Sequence, residues 1–343
     1  MSSIQNNKPI ILWCHPRTVS SAFERAFLQR SDEFICFHEP FVNAYYYGLG
    51  KNVVKSGVDL NTRKEAYSTL IHDIIKKNRN ESKRVFVKDM AMYTKGHYGP
   101  DGDGIFSKET ILNMIHTFLI RKPEKSVKSY YRVIVSLRED NIDNIDSPWH
   151  GIEFDPAYLG IKELRELFDY VKDELGQPPI LLDADDLLQD PHGTMSKYCE
   201  LLGISFKDSM LTWNKGKIPA WESTNGWHVA AEQSTGFNEF FDKNNTKEIE
   251  YPSIVHESIQ QNQADYEYLY HYEPTQADVS VFKALNGKVP DAHKYPHAAR
   301  WYQHINSYSH EFDSLPGDSS KDASHYGPEV VQALAETNQG IDQ

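Results

Sequence analysis

Short continuous apolar runs alternate with amphipathic stretches through the first three quarters of the chain: Pro9–Cys14, Phe34–Phe37, Arg84–Val87, Ile115–Ile120 and Pro179–Leu182. Runs of this kind read as strands buried on both faces, so the pattern predicts an α/β domain on a parallel sheet, covered by the helices between the strands. Arg63–Lys76 places Tyr67, Leu70, Ile71, Ile74 and Ile75 on one helical stripe. Pro156–Lys172 does the same with Leu159, Leu164, Leu167, Phe168 and Val171.

After about Thr246 the strand-like runs stop, and Tyr- and His-rich amphipathic stretches with Pro and Asn-Gly breaks take over. The polar segment Asp242–Lys247 reads as a linker, which divides the chain into an α/β domain over residues 1–246 and an all-helical domain over 247–328. Residues 329–343 are small and polar apart from Val330–Leu334, and read as a flexible tail.

Composition narrows the functions available. Lys and Arg number 36 against 49 Asp and Glu, a net charge of −13, so the surface as a whole repels nucleic acid and acidic membrane. Cys14, Cys36 and Cys199 lie in apolar surroundings without CxxC spacing, which argues against disulfides and a zinc site and for a reducing compartment. Cys14-His15 and Cys36-x-His38 lack a preformed ligand spacing, so no metal is expected. No apolar run approaches the roughly 18 residues of a membrane span, and the first residues do not read as a secretory signal. These features predict a cytoplasmic protein.

The chemistry concentrates at the ends of the predicted strands. The first runs into His15-Pro16-Arg17-Thr18-Val19-Ser20-Ser21, with Ala22–Arg30 reading as helix. A hydroxyl-rich turn there presents N–H groups, hydroxyls and a positive helix end to one point, suited to phosphate or sulfate, with Arg17 as the cation. The plainer alternative is that Ser20 or Ser21 caps the helix. No GxxxxGK[ST] is present. The fourth strand runs into Arg121-Lys122-Pro123 and then a helix carrying Ser129-Tyr130-Tyr131. Pro123 suits a first helical turn, and Arg121 and Ser129 can grip one phosphate from two sides.

This pair of motifs resembles the sulfotransferase family, which uses 3′-phosphoadenosine 5′-phosphosulfate (PAPS). In that family a Pro-Arg-Ser-Gly-Thr-Thr turn holds the 5′-phosphosulfate, and His15–Ser21 is similar with Val19 in place of Gly. An Arg-Asp-Pro turn ending in Ser-Tyr-Tyr holds the 3′-phosphate, matched here by Arg121–Pro123 and Ser129–Tyr131. The stretches Leu182–Pro191 and Tyr198–Ile204 resemble the family's late strand and helix. The resemblance covers about the first 240 residues and implies PAPS as co-substrate, no required metal, and Arg17, Thr18, Ser20, Ser21, Arg121 and Ser129 as its ligands. Arg17 stands where many members have Lys, and the family's glycine-rich late loop is poorly reproduced. Its nearest equivalent, Trp213–Lys217 with Gly226-Trp227 and Ser234–Phe237, offers Lys215 and Lys217 to close over the nucleotide, or else a solvated basic loop.

Sulfuryl transfer needs an oxygen or nitrogen nucleophile in line, a base for its proton and positive charge on the departing phosphate. His38 and Glu39 follow the second strand and Asp89 the third, so each is a candidate base, while Arg17 stabilises the leaving group and Lys88 is a candidate charge clamp. Each has a structural alternative as a loop anchor or surface pair. Tyr45, Tyr46 and Tyr93, next along the chain, can line an acceptor pocket or the core.

The last quarter closely resembles the N-terminal domain of translation elongation factor 1 beta, a relative of the glutathione-transferase C-terminal helical fold. The likeness runs from about Asn262 to Pro328, through Pro274–Phe282, Arg300–Ile305, Ser314–Gly317 and Tyr326–Pro328. It implies protein–protein contact or self-association; the half that would hold glutathione is not recognisable. The expected activity is sulfuryl transfer from PAPS to a small-molecule hydroxyl or amine. The alternatives are a catalytically idle nucleotide-binding scaffold and an enzyme acting on another phosphate or diphosphate ester.

Overall fold

The computed structural model describes residues 8–47, 60–80, 82–240 apart from 101, 146, 148 and 225, then 250–270, 276–285, 287–290, 302, 305, 306, 309 and 312–314. The cap at Thr275, most of Tyr295–Ile305 and the tail lie outside these residues.

Five strands, β1 (Ile10–Cys14), β2 (Phe34–His38), β3 (Arg84–Met90), β4 (Ile115–Ile120) and β5 (Ile180–Asp183), form one parallel sheet in the order β2-β3-β1-β4-β5. All five predicted strands are present, within one to three residues of their expected ends. β1 and β3 are buried along their whole length, as an apolar strand covered on both faces must be. At the centre Phe27 and Phe86 stack with centroids 3.8 Å apart, and Trp13 donates from Nε1 to His116 Nδ1 at 2.8 Å.

Helix α1 (Ser20–Leu28) follows β1, α2 (Phe41–Tyr47) and α3 (Leu60–Asn80) follow β2, and α4 (Lys108–Leu112) precedes β4. The long α5 (Pro123–Asp140) has Pro123 in its first turn, where the missing N–H costs nothing. The stretch expected as one helix over Pro156–Lys172 is broken. Asp155 accepts from Ala157 N to cap a short 3-10 turn at Pro156–Tyr158, and Gly160, at φ 67°, sits before α6 (Ile161–Asp169). Only glycine enters that left-handed conformation without a Cβ clash, so the helix restarts there. After β5 come α7 (Ala184–Gln189), α8 (Pro191–Leu201), α9 (Val229–Glu232), α10 (Ser253–Tyr270) and α11 (Gln276–Ala284).

The chain divides into two compact units, residues 1–259 and 260–343. The first contains the sheet, and Val255 and Ile259 of α10 close its core over Val127, Tyr130, Ile134 and Leu159. In the second, Val279, Val281, Leu285, Tyr302 and Ile305 are buried, and Phe282 stacks on Tyr302 with centroids 4.6 Å apart. No helix among the described residues is long and apolar enough to cross a membrane.

Candidate active site

The sheet order fixes where a ligand can enter. From β1 the chain winds outward to β2 and back to β3, then crosses to β4 on the other side of β1, so the winding reverses beside β1. Open parallel sheets bind ligands at the carboxyl ends of the strands flanking such a reversal. A cleft of about 1650 Å³ opens there, larger than the roughly 300–1000 Å³ typical of a site for one small molecule. It has room for a donor and an acceptor together.

The turn after β1 is held by its own polar groups. Thr18 Oγ1 donates to the His15 carbonyl at 3.1 Å, so its hydroxyl is used within the turn. Burial lowers the His15 pKa to about 3; His15 is therefore neutral, accepting from the Arg121 N–H at Nε2 (3.2 Å) and donating from Nδ1 to Pro16 O (3.2 Å). This joins the tips of β1 and β4. Arg17 and Val19 have φ of 68° and 66°. Val19 is the N-cap of α1 and no side chain caps that helix, so Ser20 and Ser21 are first-turn residues rather than caps. Both line the cleft, and α1 opens its uncapped N–H groups toward it.

Arg17 donates from Nε to Ser129 Oγ (3.1 Å) and from Nη1 to the Trp227 carbonyl (2.8 Å), while Arg121 Nη1 donates to the Arg17 carbonyl (2.9 Å). Burial, with the like charges of Arg121 and Arg132, lowers the Arg17 pKa to about 10, which leaves it protonated at neutral pH. Arg121 Nε is buried without a partner, a donor for an arriving anion to satisfy. Lys122, Lys125, Lys128 and Arg132 extend this wall along α5, facing Asp185, which Lys125 contacts at 2.9 Å. Six cations on one wall of a chain of net charge −13 make a local site for a multiply charged anion.

At the floor, Glu39 and Lys88 form a buried ion pair. Burial pushes the Glu39 carboxyl upward, but Lys88, His38 and His228 outweigh it and hold its pKa at about 2. Burial likewise opposes the charge of Lys88, and Glu39 overcomes it, so the ammonium pKa is raised. His228 also lines the cleft, its Nδ1 2.8 Å from Ser21 Oγ. Its pKa lies well below 6.5, first through burial and then through Lys88, so it is neutral.

The other expected residues sit elsewhere. His38 lies behind the floor, donating from Nδ1 to Glu24 Oε2 at 2.7 Å with its ring edge-on to His228. Asp89 is fully buried outside the cleft wall, accepting from the Phe41 and Met90 amides at 2.8 Å each. Tyr46 and Tyr93 line the cleft, whereas Tyr45 packs against both with centroids 5.1 Å away. Lys215 and Lys217 do not reach it; Lys217 borders a separate hollow beside Trp221 and Glu232. His228 is the residue that sequence reasoning missed: it follows Gly226-Trp227 in the weakly matched late loop, and nothing local ties that loop to the tip of β2. His38, Glu39 and His228 bring ligand atoms within 4.8 Å of one another, a spacing a metal ion could use. The Glu39 carboxylate in this group also accepts from the Lys88 ammonium.

The fold and site define an α/β domain with a cation-lined cleft at the carboxyl ends of its strands, and comparison with known proteins refines this. Residues 164–244 match the family model described as a sulfotransferase domain. A 118-residue stretch is 30% identical to Sulfotransferase ppzF of Metarhizium majus, covering 33% of this chain and 34% of that protein. Over 242 residues the chain is 27% identical to Branched-chain-amino-acid aminotransferase-like protein 2 of Arabidopsis thaliana, covering 66% of this chain and 35% of that one. A 68-residue segment is 54% identical to Elongation factor 1-beta of Penicillium citrinum, covering 20% of this chain and 29% of that protein. The chain spans about a third of the length of the curated relatives it matches. Part of the chain, residues 164–244, thus matches a sulfotransferase family model, and another match is to elongation factor 1-beta.

Proposed function

We propose that the α/β unit transfers a sulfuryl group from PAPS to a hydroxyl or amine of a small molecule. The observation that carries the reading is the meeting of Arg17, Arg121 and Ser129 at the reversal beside β1, with the Arg121 Nε donor buried and unsatisfied. PAPS supplies the sulfuryl group and a phosphate as leaving group. Arg121 and Ser129 hold the 3′-phosphate, with the cations of α5 around them. Ser20, Ser21 and the open end of α1 hold the phosphosulfate, and Arg17 stabilises the charge that builds on the departing phosphate. Thr18 supports this through the turn it braces.

The acceptor's proton goes to His228. Asp89 and His38 lie outside the cleft wall, and the Glu39 carboxylate is already engaged by Lys88 in a buried ion pair. His228 is neutral, lines the cleft and is oriented by Ser21. Lys88 adds positive charge beneath the transferring group. Incubating the protein with radiolabelled PAPS and an acceptor panel, while following adenosine 3′,5′-bisphosphate, tests the reading; bisphosphate binding without labelled product would instead favour an idle nucleotide-binding scaffold. For residues 262–328, the resemblance to elongation factor 1-beta supports a role in protein–protein contact or self-association, checked by light scattering of the full chain.

A further inference from the structure

The acceptor side of the cleft is built mainly of rings. Tyr93 and Tyr46 lie with centroids 6.0 Å apart, Tyr46 and Tyr158 6.2 Å apart, Phe154 and Tyr130 5.7 Å apart, and Tyr130 stacks on Trp227 at 5.6 Å. Met90 and Met92, at the tip of β3 and just after it, line the cleft as well. Aromatic walls of this kind bind flat rings by stacking and edge contacts and exclude hydrated charge.

The charges are distributed to match. Among the described residues lining the cleft, the cations other than Lys88 come from the β1 turn, the β4 tip and α5, and Lys88 is paired with Glu39. Lys88 aside, the lining stretches that carry Tyr46, Tyr93, Phe154 and Tyr158 contribute no lysine or arginine of their own to receive a carboxylate or phosphate on the acceptor. Resting on the sulfuryl-transfer reading, we infer that the acceptor is an aryl hydroxyl carrying no anionic group, bound between the Tyr46–Tyr158 and Phe154–Tyr130 ring pairs with its oxygen toward the Glu39–Lys88 floor and His228. Glu153 and Asp155, which line the same stretch, further disfavour an anion there.

The chemistry balances. The aryl oxygen forms the new O–S bond as the S–O bond to the donor phosphate breaks; the phosphate keeps the electron pair, and the hydroxyl proton passes to the His228 imidazole. A phenolic hydroxyl, at about 10 like that of tyrosine, asks far less of the base than an aliphatic one near the roughly 16 of bulk water. That suits an imidazole whose basicity burial has weakened.

The experiment has two arms on the full-length chain. The first measures kcat/KM with PAPS for phenol, cyclohexanol and aniline: a phenol preference of roughly a hundredfold is expected, and turnover of cyclohexanol or aniline within tenfold of phenol overturns the inference. The second measures phenol binding by calorimetry in the presence of adenosine 3′,5′-bisphosphate. Tyr158→Ala, and separately Tyr46→Leu, should weaken phenol about tenfold while leaving the bisphosphate constant within twofold; unchanged phenol affinity in both folded variants also overturns it. Phenol binding that obeys this pattern, with no acceptor turned over, supports the aryl site and removes the sulfuryl-transfer reading instead.

Discussion

Lys88→Met tests the electrostatic account of the cleft floor. Both partners of the Lys88–Glu39 pair are buried, so removing the ammonium leaves a carboxylate in a low-dielectric site with only the histidines to support it, a change that costs about 3–5 kcal/mol. Linkage gives a similar size independently. Glu39 is held at about 2 in the folded protein against an ordinary 4.5, a gap worth about 3 kcal/mol at roughly 1.4 kcal/mol per tenfold. Because the folded value is depressed, that stabilisation is complete above 4.5 and is lost as pH falls toward 2. In the variant, burial is no longer opposed by Lys88, so the Glu39 carboxyl rises and takes up a proton under mildly acidic conditions, relieving the unpaired charge. Urea unfolding followed by tryptophan fluorescence should show a deficit of about 3 kcal/mol at pH 7.5 that narrows at pH 5. Lys88→Met/Glu39→Gln should recover most of it, since a neutral pair of similar shape avoids the buried charge. A deficit equal at both pH values, or a double variant as unstable as the single one, would show that Lys88 contributes packing and not charge.

Arg121→Ala should weaken adenosine 3′,5′-bisphosphate by about 1.5–3 kcal/mol and adenosine 5′-phosphate much less, by titration calorimetry; an equal loss for both ligands refutes the 3′-phosphate assignment. His228→Gln should lower kcat about 10²- to 10⁴-fold with bisphosphate affinity retained, and near-normal turnover would move the base elsewhere. Gly160→Ala should lower stability by about 1–2 kcal/mol in thermal melts, because φ is 67° and the added Cβ would meet Met92 Cβ at 3.3 Å; an unchanged melting temperature would show that the left-handed turn is not required.

The parts of the fold legible in the sequence were those in which one short segment carries the whole signal. β1 is a continuous apolar run and β3 has an apolar centre at Val85–Val87 because both of their faces are covered, and the basic turn after β4 announces itself through Arg121, Lys122 and Pro123. Pro156–Lys172 misled because its apolar spacing suits a helix, while one glycine and one capping aspartate decide where the helix starts. The proposed base was illegible for a different reason. His38, Glu39 and Asp89 each stand at a strand tip, and from position alone they are equivalent. Which of them faces the cleft depends on partners that strand-tip position does not reveal: Glu24 draws His38 behind the floor, the Phe41 and Met90 amides occupy Asp89, and Lys88 ties down Glu39. His228 enters from nearly 200 residues further on, and no periodicity links it to β2.

The non-glycine residues with left-handed backbones point to the same region. Among the described residues these are Arg17, Val19 and Glu39, at φ 68°, 66° and 40°, immediately after β1 and β2. Each costs about 1–2 kcal/mol relative to an ordinary conformation, most of all for β-branched Val19. Surrounding contacts must therefore hold them in place. The structure supplies them: the Arg17 carbonyl receives Arg121 Nη1, the Val19 carbonyl receives the Phe23 amide, and the Glu39 amide donates to the Lys88 carbonyl at 2.8 Å. In each case the turned backbone aims a group at the cleft or at one of its walls: the Arg17 guanidinium toward Ser129 and Trp227, the first turn of α1 toward the floor, and the Glu39 carboxylate onto Lys88. Strain localised at the tips of the two strands that flank β3, and balanced by bonds between the groups that would hold the donor, is what a preorganised anion site requires. A purely structural turn needs no arginine in that conformation when glycine adopts it without strain.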